Sequence, residues 1–130
     1  MSTTQVRVVV ACLFFVFIFL FGFLVTRAGK PYPTLLFTIH KLTAVGAVVW
    51  MGITIAKISQ AAPLSHVQVL AIAATGVLFA LMIITGGVIS GVKQVPGIIA
   101  AAHHYLPYLT VLSSAWMIYL VILKGGAAAA

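Results

Sequence analysis

The chain has 130 residues, 64% of them hydrophobic and only 5% charged, where a soluble domain carries about 25% charged residues. It holds no Asp or Glu and seven Lys plus Arg, a formal charge of +7. This composition excludes a water-soluble fold, a carboxylate proton relay, an acidic cation site and carboxylate acid–base catalysis. The basic residues are scattered singly, which argues against nucleic acid and for lipid headgroups or an anionic ligand.

The first predicted span covers roughly residues 6–26, bracketed by Arg7 and Arg27. Its apolar run is too long for the core of a signal peptide, and Thr26-Arg27-Ala28 is a poor cleavage site. Lys30, Pro31 and Pro33 punctuate the turn that follows. A second span runs over about 34–58, and Pro63 breaks the next connection. The third covers about 66–91, and Lys93 to Gly97 form a turn. The fourth covers about 98–123. Each has about 20 residues or more, enough to cross a hydrocarbon core about 30 Å thick as a helix. Short connections predict one all-α membrane domain, an up-down-up-down antiparallel four-helix bundle. The final Ala127 to Ala130 resemble a tag or low complexity. Cationic residues divide almost evenly between the two sides, so the positive-inside rule assigns no sidedness. Cys12 is the only cysteine and cannot form an internal disulfide.

Within this bundle, helices two and four run in the same direction. His40 and the pair His103-His104 each lie about two turns, roughly 10 Å, inside their helices on the same side. A shift of 64 positions lays Phe15 on Phe79, Gly22 on Gly86, His40 on His104 and Leu42 on Leu106. It selects His104 as the counterpart of His40, with His103 as its substitute. Ala44 and Ala47 lie along the helix from His40, and Ala100 and Ala101 precede His104. Such small residues leave room for a flat, bulky group, and Gly22 and Gly86 fall at similar depth.

Two neutral imidazoles from such helices form an axial pair for haem iron. The expected cofactor is one haem b, with iron ligands His40 and His104. Arg27, Lys30, Lys41 and Lys93 would meet its propionates, with Tyr105 nearby. The absence of acids fits, because the haem brings its own carboxylates. His103, about 100° around the helix from His104, would face an interface, a quinone or a propionate. His66 opens helix three and reads as an interfacial residue, while Met51 and Met117 read as apolar fillers.

The stretches Thr38-Ile39-His40-Lys41-Leu42 and His103-His104-Tyr105-Leu106-Pro107-Tyr108 give the chain its resemblance to small membrane b-type cytochromes, broadly the cytochrome b561-like proteins. That resemblance implies bis-histidine haem in a four-helix bundle and electron transfer in an energy-transducing membrane such as the bacterial inner membrane. It departs from the two-haem pattern, because His66 has no evident partner on the opposite side. One haem near one face cannot carry charge across the membrane, so a larger redox complex is expected, with a quinone as one exchange partner. Two rival readings come from other classes. One is a cofactor-free structural subunit that binds partner helices through small residues. The other is a small carrier, disfavoured by the missing acids and the lack of a polar stripe.

Overall fold

The computed structural model describes residues 1–125 of the chain. The expectation about Ala127 to Ala130 lies outside them. The described residues are all-helical: α1 (Thr3–Ala28), α2 (Thr34–Ala61), α3 (His66–Gly91) and α4 (Gly97–Met117), which continues as a π-helical segment over Ile118–Lys124. All four are long and apolar enough to cross a membrane. Three outrun the expected spans by one to three residues at their ends, and α3 matches its span. Large apolar side chains such as Leu35, Leu42, Phe23 and Ile84 are exposed along their lengths. Apolar surface on that scale makes lipid the surrounding medium, and the chain is a multi-pass membrane protein.

The helix starts are written locally. Ser2 caps α1: its hydroxyl accepts from the Gln5 amide at 3.2 Å, and the Gln5 side chain accepts from the Ser2 amide at 2.7 Å. Ser65 and Gln68 form the same reciprocal box at the start of α3, at 3.3 and 2.8 Å. Each box satisfies two amides that the first turn would otherwise leave without partners. Pro33 and Pro96 stand immediately before α2 and the first turn of α4 and offer their carbonyls to it. Having no N–H, they lose nothing by ending an extended connection.

The chain divides into two compact units, Met1–Ala61 and Ala62–Ala130. Each is a helical hairpin. In the first, α1 packs on α2, with Phe14 against Gly46 and Trp50 and Ile18 and Gly22 against His40. In the second, α3 packs on α4, with Gly86 and Thr85 against His103, Thr75 against Ser113 and Gln68 against Leu120. In both, the partner number falls as the chain number rises, so the two helices of each hairpin run antiparallel.

The buried positions repeat between the hairpins. In α2 they are Ala47, Met51, Thr54 and Ile58. In α4 and its π-helical continuation, Thr110, Ser114, Met117 and Val121 hold the same places 63 residues later. Steps of four, three and four residues keep each set on one helix face. Met51 and Met117 are thus buried apolar side chains. Several members are small hydroxyl residues, which membrane helices tolerate where they touch a neighbour.

Candidate functional site

Each buried stripe extends back, by seven residues, onto one histidine: His40 before Ala47 and His103 before Thr110. The two imidazoles sit in matching niches. A Cβ placed on Gly22 would come 3.0 Å from Cε1 of His40. A Cβ on Gly86 would come 2.9 Å from Cε1 of His103. A side chain at either glycine meets the ring unless the ring shifts, so glycine serves here by close approach and not by backbone conformation.

The hydrogen-bond partners fit one tautomer of each ring. His40 Nδ1 lies 3.1 Å from the Ile18 carbonyl oxygen. A carbonyl only accepts, so Nδ1 carries the proton and the Nε2 lone pair is the ring's acceptor. His103 Nδ1 lies 2.9 Å from the Thr85 hydroxyl oxygen. That hydroxyl gives its proton to the Leu81 carbonyl at 2.8 Å, with a longer approach to Met82 at 3.2 Å. With its proton placed there, the hydroxyl accepts from Nδ1–H and the lone pair falls on Nε2. An Nδ1–H bond to a fixed acceptor is the arrangement that orients a metal-binding imidazole.

His104 is placed differently. It is exposed, and its ring meets Tyr105 edge-on, with centroids 5.0 Å apart and planes at 84°. Ala100 and Ala101 are exposed as well. The single shift of 64 thus matches the first helices of the hairpins, where Gly22 corresponds to Gly86, and misses the second helices by one residue. There the repeat is 63, and the counterpart of His40 is His103. α4 runs on as a helix through Pro107.

Arg27, Lys30, Lys41 and Lys93, named from the sequence as propionate partners, are all exposed. Lys41 Nζ stands 4.2 Å over the Phe37 ring, Tyr32 stacks on Phe37 at 5.6 Å, and Lys30 Nζ lies 5.8 Å from the Tyr32 ring. Two cations thus sit on an aromatic pair at the α1–α2 connection, each contact contributing about 0.5–1 kcal/mol at an exposed site. Arg27 ends α1, Lys93 lies in the α3–α4 connection, and His66 opens α3 at the surface. Among the described residues, no three His, Cys, Asp or Glu side chains converge as a metal cluster.

Three functional candidates were missed from sequence. Ile18 and Thr85 orient the imidazoles. Ser114 is fully buried, and its hydroxyl has no hydrogen-bond partner among the described residues. The Ser-x-x-Gln boxes are 63 residues apart while Gly22 and Gly86 are 64 apart, so no single shift fits the repeat, and the boxes were the available signal for trying 63 as well as 64. No family model, curated protein or solved structure matches the chain. Its function is therefore read from its own residues.

Proposed function

We propose that the chain is a b-type haem-binding electron-transfer protein of the membrane, in which His40 and His103 are the residues that would hold the iron. The observation that carries this reading is the paired niche. In each hairpin one histidine rests on a glycine and holds Nδ1 within hydrogen-bond distance of a fixed oxygen, the Ile18 carbonyl or the Thr85 hydroxyl. Imidazoles oriented in this way are suited to ligate haem iron, and each hairpin supplies one. The sequence favoured His104 with His103 as its substitute; the exposure of His104 and the glycine niche around His103 are the reasons this reading takes His103.

Bound haem b would supply a one-electron iron couple. Gly22 and Gly86 leave ring clearance beside the ligands. Arg27, Lys30, Lys41 and Lys93, with Tyr105, are the groups available to the propionates in a chain without acids of its own. The role that follows is that of a subunit in a larger redox complex, exchanging electrons with a quinone in an energy-transducing membrane such as the bacterial inner membrane.

The close glycine contacts also support a second reading, a cofactor-free structural subunit whose histidines join helices by hydrogen bonds. A reduced-minus-oxidised spectrum of the purified chain separates the two. A sharp Soret band and a reduced α-band are expected; a colourless protein expressed with ample haem leaves the structural reading.

A further inference from the structure

Once His103 turns inward, the second histidine of the pair needs its own account. His104 is exposed on α4, and so are Tyr105 at 65% and Tyr108 at 59%. His104 and Tyr108 are four residues apart and therefore on one face, with Tyr105 three before Tyr108. Helical side chains lean toward the N-terminus, which carries the Tyr108 phenol over the turn of His104. One imidazole and two phenols thus gather on a surface turned away from the hairpin's buried stripe.

Depth places the cluster just inside the membrane boundary. α4 with its continuation spans Gly97–Lys124, 28 residues, or about 42 Å at 1.5 Å per residue. Centred on a core of about 30 Å, it leaves roughly 6 Å outside at each end. By the same rise, His104 begins about 4 Å and Tyr108 about 10 Å below the upper boundary. Leaning toward the N-terminus, these side chains bring their polar hydrogens to the edge of the hydrocarbon, where a lipid-borne acceptor can meet them. The following turns of the helix are apolar and exposed, with Leu109 at 54%, Leu112 at 68% and Trp116 at 43%. A partner for this surface needs acceptor oxygens on a flat ring, entry from the lipid and a long apolar tail.

We propose that His104, Tyr105 and Tyr108 bind the headgroup of a lipid-soluble quinone, its tail lying along Leu112 and Trp116. A ring N–H of His104 and the hydroxyl of Tyr108 donate to the quinone carbonyls, and the Tyr105 ring packs against the imidazole. A phospholipid head is a poorer match, because its phosphate seeks cations and none lies on these two turns. The site deepens the haem reading, since His104 adjoins the proposed ligand His103, but binding itself requires no haem.

The test uses decylubiquinone and the purified full chain in detergent. A Trp50→Phe background leaves Trp116 as the only tryptophan, and its fluorescence quenching reports binding. Saturable quenching is expected. His104→Ala and Tyr108→Phe should each weaken it roughly fivefold or more, the weight of one hydrogen bond, with any haem spectrum unchanged. Tyr108→Phe keeps the ring and so guards against misfolding. A colourless chain that still binds quinone through His104 would support this site while ending the haem proposal. No saturable quenching, or equal affinity in both variants, overturns the site. So does loss of the haem spectrum in His104→Ala, which would make His104 an iron ligand.

Discussion

The two hairpins use one plan with different fastenings. Both open with a Ser-x-x-Gln box, both set a histidine against a glycine, and both bury a stripe of the same spacing. In the first, the imidazole is oriented by the backbone carbonyl of Ile18. In the second it is oriented by the side chain of Thr85. The second also carries two side-chain ties absent from the described contacts of the first: Thr75 to Ser113 at 2.8 Å, and the Gln68 amide to the Leu120 carbonyl at 2.8 Å. Gln68 thus works twice, as cap partner and as a clasp between the start of α3 and the end of α4. A backbone acceptor survives every substitution at its own position, whereas a hydroxyl can be deleted. The same geometry is therefore robust in one hairpin and tunable in the other.

The largest expected effect strikes both hairpins equally. His40→Ala and His103→Ala should each abolish the low-spin spectrum, while His104→Ala keeps it. Spectra of the three variants, titrated with haem, decide this; equal loss in all three would remove the distinction between the adjacent histidines.

Next come the glycines. Gly22→Ala and Gly86→Ala should each displace a ring and cost about 1–3 kcal/mol of stability, the usual penalty of overpacking. Thermal unfolding in detergent measures it, together with haem occupancy. If Gly86→Ala is tolerated and Gly22→Ala is not, the niches are not equivalent.

Thr85→Val sharpens the difference between the fastenings. It removes the acceptor of His103 Nδ1–H and should weaken haem affinity by about 10–100-fold, as for other partners that orient a ligand. The corresponding Ile18→Val leaves its carbonyl in place and should change affinity little. Haem transfer to an apo-acceptor protein provides the comparison.

Gln68→Ala should cost more than Gln5→Ala. The first loses a cap and a helix–helix bond, the second a cap alone, and the extra bond contributes about 0.5–1.5 kcal/mol. Equal unfolding temperatures would show that the clasp carries no net stability.

The smallest effects belong to the exposed cations. Replacing Arg27, Lys30 or Lys93 by Gln removes positive charge that favours the reduced iron, so the midpoint potential should fall. Exposed couplings of about 0.2–1 kcal/mol correspond to roughly 10–40 mV for one electron. Redox titration of the three variants checks the sign, and no change in any of them would put the propionates elsewhere.

Fold class was legible because lipid imposes a simple rule. A backbone without water must bond to itself, so long apolar runs separated by Pro, Gly and Lys became helices within a few residues of their expected ends. The small-residue niches were also visible: Gly22, Gly86 and His40 stand out in so apolar a chain. The choice between His103 and His104 was not. These helices are apolar all round, so no polar face marks which side turns inward, and one residue of register turns a side chain by about 100°. Only the packed hairpin, where Gly86 admits the ring and Thr85 accepts its proton, made His103 the inward histidine. The division of the chain into two hairpins was likewise decided by packing. Contacts between helices form between residues far apart in sequence, and neither composition nor span length encodes them.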